Sequence, residues 1–197
     1  NLQKLFVDID LSIPLLAISD LFYLYPAADS IEVLKQNRNK SIQVEAAIKG
    51  DTRRINIKTF AASLGPNIAR LSGWVRNPLD TLNAHFNINV DRLRTTDAGI
   101  AALLPAGSLP DYVELPNVVS FSGFFKGKID DFRARINGES MRMSAPVASE
   151  LEVNARIRNI MNWEEAYFDI TLDSLYTTRA DFQAYLPPDA IPSYVTL

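Results

Sequence analysis

The segment NAHFNINVDRLRTTDAGIAALLPAGSLPDYVEL at residues 83–115 returns without a gap as EAYFDITLDSLYTTRADFQAYLPPDAIPSYVTL at residues 165–197. The copies share 15 identities in 33 aligned positions at a constant offset of 82 residues, among them Phe86/Phe168, Ile88/Ile170, Asp91/Asp173, Leu93/Leu175, Thr95-Thr96/Thr177-Thr178 and Pro110/Pro192. A unit that recurs at fixed spacing marks an architecture built by stacking similar modules, and it directs function to a surface running along the stack. The second copy stops at Leu197 before it is complete and the chain opens on Asn1, so it is expected to be an excerpt of a longer array. The expected organisation is a β-rich segment at 1–70, with 19–26 as a candidate degenerate copy, a repeat module at 71–152 and a truncated module at 153–197.

Outward from the repeat, period-two alternation dominates. Leu5, Val7, Ile9, Leu11 and Ile13 oppose Asp8, Asp10 and Ser12, which reads as a half-buried strand. The same contrast appears at Ile42/Val44/Ala46/Ile48, Ile55/Ile57, Phe86/Ile88/Val90, Phe132/Ala134/Ile136 and Leu151/Val153/Ala155/Ile157. Turn sequences at 50–51, 64–67, 77–80 and 130–131 separate these runs. The pattern predicts a mainly β, elongated and curved antiparallel sheet, with one face oily and one in water.

Each copy also carries one short helix, expected at about 97–104 and 179–186. Thr96 and Thr178 can cap the free N–H groups of the first turn, and Pro105 and Pro187 stop the helix. After the first helix, LPDYVELP at 109–116 leads into VVSFSGFFKG at 118–127, a further strand. There Gly123 and Gly127 fall on the same face as Val119, Phe121, Phe125 and Ile129, where they permit a sharp bend.

Composition agrees with an ordered β-rich chain: of 197 residues, 47% are hydrophobic and 22% charged, with a net charge of −3. Twenty basic against 23 acidic residues leave no basic footprint for nucleic acid. The longest apolar region, 13–28, is broken by Pro14 and Asp20 and falls short of the roughly 20 residues of a membrane-spanning helix. The absence of cysteine removes disulfides, thiolate catalysis and thiolate metal sites together.

The order of alternating strands, Thr-Thr-capped helix, Leu-Leu-Pro at 103–105, LPxYVxLP at 109–116 and FSGFFKGKIDDF at 121–132 resembles the repeat region of TamB and AsmA-like envelope proteins. The resemblance is best over 71–136 and 153–197. It implies a trough-shaped (β-taco-like) sheet with an apolar concave face, in a protein of the Gram-negative periplasm and cell envelope whose full length is anchored in the inner membrane. It further implies phospholipid acyl chains as cargo between the inner and outer membranes, and an outer-membrane β-barrel partner of the TamA/BamA type in translocation and assembly. No catalysis and no cofactor are expected.

The residues expected to face lipid are Phe86, Ile88, Val90, Phe121, Phe125, Phe132, Ile136, Phe168, Ile170 and Leu172. A sheet with a continuous apolar face must close, pack on a second sheet or offer that face to something apolar. A closed sandwich core is the alternative use of the same residues.

Other candidates are weaker. His85 is the sole histidine and its counterpart is Tyr167, so it belongs to no repeated metal site. Asp8/Asp10 and Asp130/Asp131 read as a wet strand face and a turn, without an acidic residue at ligand-loop spacing. No phosphate loop, nucleophile elbow or dinucleotide fingerprint is present. Lys126, Lys128, Arg133 and Arg135 read as solubilising charge, with lipid headgroups or a protein partner as the functional alternative.

Overall fold

A computed structural model describes residues 6–30, 34–35, 37–103, 110–142, 145–187 and 190. Leu5, Leu104, Pro105 and residues 191–197, which the expectations above include, lie outside the described residues. The chain runs β1 (Phe6–Ala17), α1 (Ile18–Leu24), a 3-10 turn (Pro26–Ser30), β2 (Ser41–Asp51), β3 (Arg54–Leu64), β4 (Asn67–Arg76) and β5 (His85–Thr96). It continues with α2 (Asp97–Leu103), β6 (Val118–Lys128), β7 (Asp131–Arg142), β8 (Ala145–Arg158), a 3-10 turn (Trp163–Glu165), β9 (Tyr167–Tyr176) and α3 (Arg179–Gln183).

The nine strands form one antiparallel sheet in which each strand pairs with its neighbour in sequence. The sheet is curved like a trough and does not close into a barrel. The sandwich alternative is therefore not what these strands build: they form a single layer. The expected module boundaries at 71 and 153 lie within β4 and β8, and strand–helix units recur at β5–α2 and β9–α3. The unit β1–α1 repeats the lengths of β5–α2, a 12-residue strand followed by a 7-residue helix.

Local chemistry explains the junctions. Thr178 Oγ1 accepts from the Asp181 N–H at 3.2 Å and Thr96 Oγ1 from the Gly99 N–H at 3.3 Å, so the second Thr of each pair is a helix cap. The first Thr ties the junction to the preceding strand: Thr95 Oγ1 donates to Asn67 Oδ1 at 2.9 Å, and Thr177 Oγ1 lies 2.8 Å from Ser149 Oγ. Asn67 and Ser149 are themselves 82 residues apart, so the clasp belongs to the repeat. α1 is preceded by Ala17, which offers no side-chain cap, and buries Ile18 and Phe22 instead.

α3 is shorter than expected and ends at Gln183; Tyr185 and Leu186 continue in tighter turns onto Phe182 and Gln183. The approach of Pro187, which lacks an N–H, leaves no further helical bond to be made there. Ile129, expected on the apolar face of β6, lies in the β6–β7 turn.

Bulges keep the faces in phase. Pairing slips by one residue near Pro14 in β1, near Lys58 in β3, near Asp91 in β5 and near Asp173 in β9. Each slip puts two residues against one, increases local twist and restores the following apolar residue to its face. Pro14 fits because a bulge spares it a ladder bond. Asp91 and Asp173 are an identity of the repeat, so the bulge recurs with the module.

Candidate functional site

The pairing registers assemble four cross-strand rows on one face. The first is Val7, Gly50, Ile55, Val75, Phe86, Gly127, Phe132, Ile157 and Phe168. The second is Ile9, Ile48, Ile57, Gly73, Ile88, Phe125, Ala134, Ala155 and Ile170. Leu11, Ala46, Phe60, Leu71, Val90, Gly123, Ile136, Val153 and Leu172 make the third. The fourth is Ile13, Val44, Ala62, Ala69, Leu93, Phe121, Gly138, Leu151 and Leu175. No polar side chain interrupts any of them.

All ten residues singled out in the sequence stand in these rows: Phe86, Phe132 and Phe168 in the first, Ile88, Phe125 and Ile170 in the second, Val90, Ile136 and Leu172 in the third, Phe121 in the fourth. With neighbouring strands about 4.8 Å apart, a nine-strand row extends roughly 38 Å. Four rows at two-residue spacing cover about 20 Å along the strands.

Glycines shape this face. At Gly73, Gly123 and Gly127 φ is +142°, +152° and +148°, a backbone conformation that side chains resist, and a Cβ would lie 1.9–2.3 Å from a carbonyl oxygen of the next strand. Close approach of the strands therefore depends on the missing side chain. Across Gly127 the rings of Phe86 and Phe132 come into tilted contact.

Burial along the face is partial. The middle strands hold most of its residues half-buried and bury Ala46 and Ala134, whereas on β9 Phe168, Ile170, Leu172 and Leu175 are 42%, 60%, 53% and 48% exposed. Among the described residues, the buried apolar cluster consists of Ile18, Phe22, Ala28 and Leu64 with Leu21, Leu34 and Ile42 against it. That cluster lies where α1 meets the ends of β2 and β3, so it caps one end of the strands and leaves the rows uncovered.

The junction of α3 contains a buried polar cluster that the sequence did not disclose. Arg142 and Asp181 are 7% and 2% exposed; Arg142 Nε donates to Asp181 Oδ1, and Ser149 Oγ donates to Asp181 Oδ2. The Arg142 guanidinium also lies over the Tyr185 ring at 4.7 Å. The available signal was an acidic residue three positions after a capping threonine, a pattern that usually closes on the helix's own backbone. Here the carboxylate turns to the sheet instead.

The opposite face is polar. Asp8 pairs with Lys49 at 2.9 Å, Asp131 with Arg156 at 3.2 Å, and Arg135 with Glu152. Trp74 stands between the Arg54 and Arg76 guanidiniums at 4.9 and 5.0 Å. A depression of about 490 Å³ lies on this side near Arg92, Asn137, Glu139 and Glu150, where its polar walls suit water rather than an apolar ligand. Hydrogen bonds from Arg156 hold the Asp131 carboxyl below its ordinary value; backbone N–H groups of Arg53 and Arg54 do so for Asp51, and Asn83 for Asp80.

The remaining sequence candidates take ordinary positions. His85 is exposed with Nδ1 3.0 Å from the Asn83 carbonyl, and Asp130 Oδ1 accepts from the Met161 N–H. Lys126, Lys128, Arg133 and Arg135 are exposed on the polar face. Among the described residues no group of three or more His, Cys, Asp or Glu could hold a metal ion, and no helix is long and apolar enough to cross a membrane. Comparison with protein-family models, curated proteins and solved structures gives no match.

Proposed function

We propose that the apolar face is a lipid-binding groove: one segment of a TamB/AsmA-like trough that carries phospholipid acyl chains between the inner and outer membranes without catalysis. On this reading the chain works in the periplasm of a Gram-negative envelope. The observation that carries the proposal is the set of four uninterrupted apolar rows spanning nine strands while the sheet remains a single layer.

Size and energetics fit. A leaflet's acyl layer is about 15 Å deep, half of the ~30 Å hydrocarbon core, so one chain fits across or along the rows. Burying an acyl chain gains about 0.8 kcal/mol per CH₂, and half-desolvation of roughly 16 carbons yields on the order of 6 kcal/mol without headgroup recognition. Rows of similar side chains repeated by module offer many near-equivalent sites, as sliding requires. The polar face keeps the trough in water.

Native mass spectrometry of protein purified without detergent tests the proposal directly. Co-purified phospholipid is the expected result; ligand-free protein that also fails to take up lipid from vesicles would overturn it.

A second reading is favoured by one specific observation. All ten residues of β9 are exposed and its outer edge has no neighbour among the described strands. Such an edge suits strand addition, the contact by which a scaffold would assist an outer-membrane β-barrel partner. Crosslinking from β9 positions to a TamA/BamA-type barrel in envelopes, with lipid uptake absent, would favour this reading over the first.

A further inference from the structure

The two modules place a strand–helix junction at equivalent positions but fill the space beneath it differently. In the second, Leu151 of β8 lies against Gly138, where an added Cβ would be 3.2 Å from Leu151 Cγ, and Asp181 of α3 reaches Ser149 and Arg142. The positions 82 residues earlier are Ala69 on β4 and Gly99 on α2. Two small residues thus stand where the later module has a leucine and a buried carboxylate.

At that point the first module contains a pocket of about 220 Å³, bounded by Ile42, Leu64, Ala69, Leu93 and Gly99. Asn67 and Thr95 border it, but the Thr95 hydroxyl donates to Asn67 Oδ1, so that acceptor is already engaged. Ala62, Ala69 and Leu93 belong to the fourth apolar row, so the pocket opens directly off the apolar face.

We infer that this pocket seats the methyl end of a lipid acyl chain whose remaining length lies along the apolar rows. The inference rests on the groove proposed above and adds to it a defined stopping point. An apolar cavity of about 150 Å³ stays dry and accepts benzene, so a pocket of this size and lining can take several methylenes. Ser63 and Arg94 also border the pocket, but their register positions belong to the opposite face, so a headgroup seated here would leave polar atoms unpaired. In the later module Leu151 and the buried Arg142–Asp181 pair occupy the matching positions, so on this inference the two modules hold lipid differently: the first anchors, the second lets pass.

The test uses two phosphatidylcholine probes in vesicles, one with a diazirine at the methyl end of an acyl chain and one with it near the carboxyl end. They are applied to the wild-type chain and to Ala69→Leu, which copies the later module's residue; Ala62→Leu enters the same space from β3 and decides the matter if Ala69→Leu fails to fold by circular dichroism. The expected result is that the methyl-end probe labels peptides from β4 and α2, and that this labelling falls by about tenfold, equivalent to about 1.4 kcal/mol, in the filled variant. Labelling of β5 and β9 by the carboxyl-end probe should persist. Methyl-end labelling that is unchanged by the substitution, or that maps away from β4 and α2 while the other probe still labels β5 and β9, overturns the pocket alone. Loss of labelling by both probes in the wild type overturns the groove and the pocket together.

Discussion

The rings of Phe86 and Phe132 lie 5.9 Å apart, centroid to centroid, at 54°, although β6 runs between their strands. The contact exists because the residue between them in the row is Gly127. Phe168 extends the same row beyond Ile157, so the aromatic floor of the first module continues into the second.

Gly127→Ala should therefore cost more than an ordinary surface change. Its Cβ would lie 2.3 Å from the Asp131 carbonyl oxygen and 2.9 Å from Phe132 Cβ, on a backbone with φ +148°. A loss of about 1–3 kcal/mol is expected. Urea unfolding measures it, and a variant as stable as wild type would mean that the strands tolerate separation there.

The helix caps give a graded pair. Thr96→Ala and Thr178→Ala should each cost about 1 kcal/mol, with the larger loss at Thr178, because its partner N–H belongs to Asp181, whose side chain is fixed in the buried cluster. Thermal unfolding of both variants checks the order, and a larger loss at Thr96 would place the cluster outside the stability of the junction.

Acid should weaken the sheet from its polar side. The carboxyls of Asp51, Asp80 and Asp131 are held below the ordinary aspartate value by hydrogen bonds made in the folded chain. A depressed folded value means that the contribution is fully present above the unfolded value and is lost as pH falls through the folded one. Stability carried by these groups should accordingly be flat from neutral pH to about 5 and decline below about 4. Asp131→Asn should reduce that decline in urea titrations at several pH values; an unchanged slope would remove Asp131 from the explanation.

The exposed β9 edge should support association between copies. Ile170→Lys places a charge on its apolar face, a device that discourages edge pairing. Sedimentation should detect weak self-association of the wild-type chain that this substitution reduces; association unaffected by the change would locate the contact elsewhere.

The fold was legible where two signals coincided. In β5 and β9 alternation and repetition agree, and Phe86, Ile88 and Val90 share their face and rows with Phe168, Ile170 and Leu172. β4 was not marked by alternation because Ala69 and Gly73 weaken its apolar face while Trp74 stands on the polar one, held between two arginines. The bulges at Asp91 and Asp173 were equally hidden: two consecutive residues against one is a property of pairing, and the strand sequence by itself continues as if unbroken. The Arg142–Asp181 pair joins residues 39 apart, a contact that no local pattern announces. The pocket beside Ala69 and Gly99 is legible only by comparing modules in three dimensions, since each residue alone reads as a small, ordinary one.

The most direct test of the groove is phospholipid binding by the purified chain carrying Phe86→Asp or Phe168→Asp, with Lys58→Ala on the polar face as control. Phe168 is the more exposed of the two, so its variant should keep nearly wild-type stability, while Phe86→Asp loses on the order of 1–3 kcal/mol. Photo-crosslinkable phospholipid should label both Asp variants far less than wild type and label Lys58→Ala equally well. Normal labelling of folded Phe86→Asp and Phe168→Asp would contradict a lipid groove on this face.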